Sequence, residues 1–258
     1  MHYLKYLIFT IVFTFPFLVS AQDAQIVFDR PGISDSPYLV DSNRWLFETG
    51  ISASDKSNFS DVILPTIMLR KYIGWHTEAR ITYNYSPQMK YIMNQNGLTG
   101  DIPFAVGLKH KISKEHDYYP ETSFIVNSYY PLQKIKSITK NNTYNLDAGF
   151  QFQSHLLDEL ALNYNIGTIF TDNLNKGVLS YSICITGLVH KNVEMFAEWF
   201  GYSPNKTRSE LGCDAGVIYY PNYWSQIDFT VIDNIYQSMH FLSFQLGYSF
   251  CFDTKKDR

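Results

Sequence analysis

The chain has 258 residues, of which 17% are aromatic and 17% charged, and its formal net charge is −3. That charge, with no Lys/Arg cluster and no Gly-rich phosphate loop, argues against nucleic acid as a partner. Beyond the N-terminus no segment reaches the run of about 18 apolar residues that a membrane helix needs, so a membrane would be crossed by strands.

Residues 1–21 read as a cleaved secretory signal. Lys5 supplies the positive start, Tyr6 to Val19 is apolar but broken by Pro16, and Val19-Ser20-Ala21 predicts cleavage after Ala21. No Cys follows the cut, so a lipoprotein anchor is not expected. Residues 22–43 contain Asp29-Arg30-Pro31-Gly32 and little alternation. They are expected to form a periplasmic lead-in or a plug.

Period-two alternation then recurs in twelve segments: 44–53, 63–70, 77–85, 102–112, 119–130, 143–154, 159–170, 178–189, 193–202, 210–220, 224–232 and 241–252. In the third, Thr77, Ala79, Ile81, Tyr83 and Tyr85 share one face, and Glu78, Arg80, Thr82 and Asn84 the other. Such alternation marks strands with unlike environments on their two sides. Most segments have the length of a tilted membrane-crossing strand, about 9 to 11 residues. Connections after even-numbered strands are tight, as at 71–76, 155–158, 190–192 and 221–223. Those after odd-numbered strands are longer and more polar, notably 86–101 and 131–142. Short turns at one end and long loops at the other are the outer-membrane pattern, with both termini periplasmic.

The expected architecture is therefore all-β: a closed antiparallel transmembrane barrel of about twelve strands spanning 44–252, with a polar lumen and a periplasmic tail at 253–258. The apolar phase of each strand, for example Leu160, Leu162, Tyr164 and Ile166, carries no Asp, Glu, Lys or Arg. A lipid-facing charge near the bilayer centre costs about 2–4 kcal/mol. A soluble sandwich or lipocalin-like barrel also alternates, but buries its apolar face and exposes its charges.

The opposite phase gives the candidate lumen-lining residues: Glu48, Arg70, Glu78, Arg80, Lys109, Lys111, Glu121, Asp147, Glu159, Glu194, Glu198, Asp214 and Asp228. The basic ones fall on strands 2–4 and most acidic ones on strands 5–11, so a transverse field across the lumen is expected. Phe196, Phe200, Ile218 and Tyr220 form an inward apolar patch suited to an amphipathic ring-bearing solute, or to packing against the lead-in.

Catalytic and metal constellations are not found. Glu194 and Glu198 lie four apart on one strand face, about 13 Å by strand rise, too far for paired-carboxylate glycoside chemistry. The histidines His76, His110, His116, His155, His190 and His240 fall at turns, strand ends or outward positions, with no serine and orienting acid at recognisable spacing. Cys184, Cys213 and Cys251 are odd in number and assigned to strands 8, 10 and 12, so free thiols are expected, with no metal site.

Several stretches resemble the MetA-pathway of phenol degradation family of outer-membrane barrels. They are Asp29-Arg30-Pro31-Gly32 followed by Leu46-Phe47-Glu48-Thr49-Gly50; Leu64-Pro65 through Leu69-Arg70 with Ile73-Gly74; and Gly100-Asp101-Ile102 through Gly107-Leu108-Lys109. Phe196-Ala197-Glu198-Trp199-Phe200-Gly201 and Leu211 to Tyr220, with Asn222 and Asp228, are similar to its last third. The resemblance implies an exported barrel passing aromatic or other small organic molecules, and no catalytic residues. The expected function is passive or facilitated diffusion of a small solute across a bacterial outer membrane, without enzyme activity, cofactor or metal. Expected partners are membrane lipid, the solute and the barrel-assembly machinery. The alternative is a non-conducting barrel, structural or binding at the surface through loop 86–101.

Overall fold

The computed structural model describes residues 26–54, 64–84, 104–130, 145–171, 176–204, 210–236 and 239–253. The expected signal sequence, loops 86–101 and 131–142 and the tail from 254 lie outside the described residues. Strands β1 (Arg44–Ser54), β2 (Leu64–Gly74), β3 (Thr77–Asn84), β4 (Phe104–Ser113), β5 (Glu121–Tyr130) and β6 (Asn145–Leu157) form the first half. The second half is β7 (Leu160–Thr171), β8 (Lys176–His190), β9 (Val193–Pro204), β10 (Glu210–Asn222), β11 (Ser225–Tyr236) and β12 (Met239–Asp253). Each strand pairs antiparallel with its chain neighbours, and β1 closes on β12 from Arg44↔Asp253 to Ser54↔Ser243, giving a closed barrel. Closure leaves no open sheet edge, which lipid would not tolerate.

Strand alternation maps directly onto exposure. Along β8, Tyr181 and Ile183 are exposed while Ser182 and Cys184 are buried; along β12, Phe244, Leu246 and Tyr248 are exposed while Ser243, Gly247 and Ser249 are buried. The polar side chains are thus inside and the large apolar ones outside, the inverse of a soluble barrel, as a lipid surround requires. Outward rings pair across strands in register: Phe47 with Phe250 at 5.1 Å between centroids, Phe124 with Phe150 at 4.9 Å, and Phe152 stacked on Tyr164 at 5.0 Å. Such cross-strand ring pairs stabilise the outer face beyond their simple area.

Most strands run beyond the bounds expected from alternation, chiefly because hairpin pairing continues after the hydrophobic pattern ends. β2 reaches Gly74, leaving Trp75 and His76 as a two-residue turn with positive φ at both, and Gly74 at φ 105° before them. The extension places Lys71 on an outward position, against the expectation of an uncharged outer face. Its ammonium lies over the Trp45 ring and donates to the Ser42 carbonyl at 3.3 Å, an interfacial arrangement at the barrel rim. Asp233 is likewise outward, on the added end of β11, opposite Cys213 of β10. The three described cysteines are free thiols, with Cys184 and Cys251 buried.

All five short-turn hairpins, β2–β3, β4–β5, β6–β7, β8–β9 and β10–β11, carry a register shift next to their turn. These bulges increase local twist and curl the wall at that end, helping closure.

Ile183, 46% exposed, sits midway along β8 on the outer face. Ile183→Arg should lower stability in vesicles by about 2–4 kcal/mol. The same change at Tyr118, fully exposed in the β4–β5 connection, should leave it nearly unaltered. Denaturant titrations of refolded protein in liposomes, followed by Trp fluorescence, measure both.

Candidate functional site in the barrel interior

The strand registers set the interior before any loop is added. β1, β2, β3 and β4 are sequential neighbours, so Glu48, Arg70, Glu78, Arg80 and Lys109 project inward from one wall. Arg70 has no exposed surface. Its Nε donates to Glu78 Oε1 at 2.8 Å, one terminal nitrogen to Glu48 Oε1 at 3.0 Å, and the other to Glu78 Oε2 at 3.1 Å and the Tyr38 carbonyl at 3.2 Å. Arg80 donates to Glu78 Oε1 at 3.0 Å. Two strand carboxylates thus face three strand cations.

The third carboxylate comes from the N-terminal segment. Asp29 Oδ2 lies 2.6 Å from Arg80, 2.8 Å from Lys109 Nζ and 3.3 Å from Arg70. Lys109 also donates to the Ser36 carbonyl at 2.7 Å, and Glu48 accepts the backbone N–H groups of Asp29 and Arg30 at 3.3 and 2.9 Å. Buried charges of both signs are tolerated because each has a partner and further hydrogen bonds. The expected transverse field is therefore corrected: the basic wall is neutralised locally by Glu48, Glu78 and Asp29.

From Asp29 the segment runs across the lumen, past β11, to β8 and β9. Arg30 pairs with Asp228 of β11 at 3.2 Å and donates to Thr66 Oγ1 at 2.9 Å, while Gln226 donates to its carbonyl at 2.8 Å. Its guanidinium lies on Gly50: a Cβ there would sit 2.6 Å from Arg30 Cζ, so the glycine makes room for the crossing. Gly32, at φ 100°, turns the chain against Glu198, which accepts the Ile33 N–H at 2.8 Å and the Ser34 hydroxyl at 2.5 Å. Asp35 and Ser36 begin the return, with the Asp35 carbonyl accepting from Asn165 at 3.2 Å, the Tyr38 hydroxyl from Gln153 at 3.1 Å, and Glu78 taking the Val40 N–H at 2.9 Å. Phe28 and Val40 pack with Leu46 and Cys251. Residues 26–43 thus make a re-entrant loop that enters and leaves at the short-turn end.

This loop separates two cavities, each lined in part by Asp29 and Arg30. The one toward the long loops has a volume of about 290 Å³ and is bordered by Asp35, Arg80, Asn127, Tyr129, Asp147 and Tyr202. The one toward the short turns has a volume of about 530 Å³ and is bordered by Phe28, Glu159, Asn163, Glu194, Phe196 and Ile218. Of the residues expected inside, Asp147 accepts from Asn127 at 3.4 Å, Glu194 from the Tyr220 hydroxyl at 2.8 Å, and Lys111 pairs with Glu121. Asp214 is directly opposite Glu198 in the β9–β10 register, and the two carboxyl groups face one another in the interior. Glu159, expected on strand 7, instead lies in the β6–β7 turn, because β7 begins at Leu160; there it borders the mouth of the larger cavity. The expected apolar group splits: Phe196 and Ile218 pack with Cys184 and Tyr220, whereas Phe200 meets Tyr202 edge-on at 6.2 Å.

At the short-turn rim Glu115 accepts the His155 backbone N–H at 2.7 Å and bonds its Nδ1 at 2.5 Å. Burial alone would raise the Glu115 pKa, but these His155 contacts outweigh it and lower the value.

Sequence reasoning offered residues 22–43 as a lead-in or a plug but did not name Asp29 and Arg30 among the interior residues. The signal was present as two adjacent opposite charges in a segment without alternation, but their partners lie up to 198 positions away.

No family model matches the chain, and no curated protein matches it in sequence. Solved structures match in fold. The KdgM porin in complex with disordered oligogalacturonate aligns with 80% of this chain and 99% of its own, at TM-score 0.56 and 6% identity. An outer membrane channel from Pseudomonas putida F1 aligns with 83% and 97%, at 0.54 and 9%. The CymD monoaromatic hydrocarbon channel aligns with 85% and 90%, at 0.52 and 8%. The architecture of this chain is thus shared with outer-membrane channels.

Arg70→Met should destabilise the protein by about 3–5 kcal/mol, because it leaves Glu48 and Glu78 buried with too few cations. Denaturant titration against the unsubstituted protein measures the loss, and adding Glu48→Gln to Arg70→Met should recover part of it.

Proposed function

We propose that this protein is an outer-membrane channel for small organic solutes, in which the re-entrant loop 26–43 forms the constriction. The observation that carries the reading is the pair of polar-lined cavities stacked inside a closed barrel and divided by a single loop. A wall built only for mechanical integrity needs no such vestibules. The fold shared with porins supports this placement, together with the export signal expected at 1–21 and the local resemblance to the MetA-pathway of phenol degradation family. The likeness to a monoaromatic hydrocarbon channel supports an apolar or ring-bearing solute, for which Phe196, Ile218 and Tyr220 offer wall area. Arg70, Arg80, Lys109, Glu198 and Asp228 act on the path mainly by holding the loop. Membrane lipid anchors the outer face, the assembly machinery inserts the barrel, and the chain performs no catalysis.

A second reading, a non-conducting barrel, is favoured by one observation: the loop is hydrogen-bonded to nine of the twelve strands. Conductance separates the two. Refolded protein in a planar bilayer should give small unitary steps, and Lys109→Ala or Asp29→Asn, each of which releases one clamp on the loop, should enlarge or destabilise them. Deletion of residues 26–36 should give the largest steps. Silence of all these forms would support the non-conducting reading.

A further inference from the structure

The interior contains an imbalance that the loop does not correct. Each inward cation among the described residues, Arg30, Arg70, Arg80, Lys109 and Lys111, is engaged in an ion pair. Asp147, Glu194, Glu198 and Asp214 form no ion pair among the described residues, and all lie on β6, β9 and β10. Two of them border the cavities, one on each side of the loop: Asp147 in the smaller and Glu194 in the larger.

The larger cavity is the more specific of the two. Glu194 is held in place by the Tyr220 hydroxyl at 2.8 Å. Asn163, 9% exposed, lines the same space from β7, and its Oδ1 has no hydrogen-bond partner. Glu159 stands at the mouth, and the Arg30 guanidinium on the loop side is already committed to Asp228. Phe28, Phe196 and Ile218 supply apolar wall, and His155, bonded to Glu115, also borders the space. Acceptors and negative charge therefore converge beside apolar and aromatic surface, and among the described residues the basic groups of the lining are already engaged, Arg30 with Asp228 and His155 with Glu115.

We infer that the larger cavity is a binding subsite for an organic ammonium ion with an apolar body, and that the passage favours cations over anions. This rests on the channel reading for its role in transport, though not for its binding chemistry. An ammonium group supplies the donor that the Asn163 side-chain carbonyl lacks and the positive charge that Glu194, bonded only to neutral groups, lacks. The aromatic faces of Phe196 and Tyr220 attract the same cation, and the apolar body buries against Ile218 and Phe28. A carboxylate-bearing solute of equal size would be repelled by Glu194 and would find the Arg30 guanidinium already paired with Asp228.

The test is calorimetric titration of the full mature protein in detergent with phenethylammonium and with phenylacetate, probes alike in ring and opposite in charge. Saturable binding of phenethylammonium in preference to phenylacetate, weakened about tenfold or more by Glu194→Gln, is expected. Equal or tighter binding of phenylacetate, or no binding of either, overturns the subsite. If Glu194→Gln does not fold, the unsubstituted protein's choice between the two probes still decides. Reversal potentials in a KCl gradient test the passage separately, with a cation preference of at least about tenfold expected from focusing by one sign of charge. A neutral or anion-favouring potential overturns the selectivity and leaves the channel standing, whereas absence of conductance overturns the channel reading and leaves the binding result to stand alone.

Discussion

A guanidinium wholly removed from water must be answered on every side, and Arg70 is answered by residues from β1, β3 and the N-terminal loop at once. The rest of the interior follows from that demand. Desolvating one such ion costs several kcal/mol, which only close carboxylates with further hydrogen bonds of their own can offset. Glu48 and Glu78 are supplied by sheet register, but with Arg80 and Lys109 alongside, the wall keeps one positive charge too many. Asp29 completes the balance, and in doing so fixes the loop across the barrel.

The same coupling explains why the loop follows one course. A peptide passing through a barrel must satisfy its own backbone groups as well as those of the wall. Here Glu48 takes two backbone N–H groups, Glu198 and Glu78 take one each, and Gln226, Lys109, Arg70 and Asn165 donate to carbonyls. Wall charges therefore do two things: they neutralise one another and they replace the hydrogen bonds that a helix or strand would have given the loop. An apolar lining of equal volume could match the packing, but it would leave those amides unsatisfied.

How much of this could be read from the sequence depends on the range of the interaction. Strand number, phase and the inside–outside partition were legible because each is encoded locally, in the two-residue period of segments such as Leu160 to Thr171. Strand ends were less so. Bulged hairpins carry pairing past the last alternating residue, which is why Lys71 became an outward residue and Glu159 fell into a turn. The loop's partners were illegible for a different reason. Asp29 binds Arg70, Arg80 and Lys109 on three strands, and nothing in a linear pattern distinguishes that acid from a solvated one. The expected separation of basic and acidic walls failed on the same point, since the neutralising charge came from outside the strands.

What remains after neutralisation is the informative part of the interior. Charges that hold the loop are spent in fixed pairs and offer little to a passing solute. Asp147, Glu194, Glu198 and Asp214 are different, because no cation among the described residues was recruited to meet them. Glu198 still serves the loop through Ile33 and Ser34, and Asp214 opposite it lies between glycines that accommodate the Phe196 and Phe200 rings. Two carboxylates in cross-strand register within a dry site require either a shared proton or a positive ligand nearby. The sign of charge that a solute meets is then left to the carboxylates that border the cavities, Asp147 on β6 and Glu194 on β9, while the neutral network on β1 to β4 sets only where the loop sits.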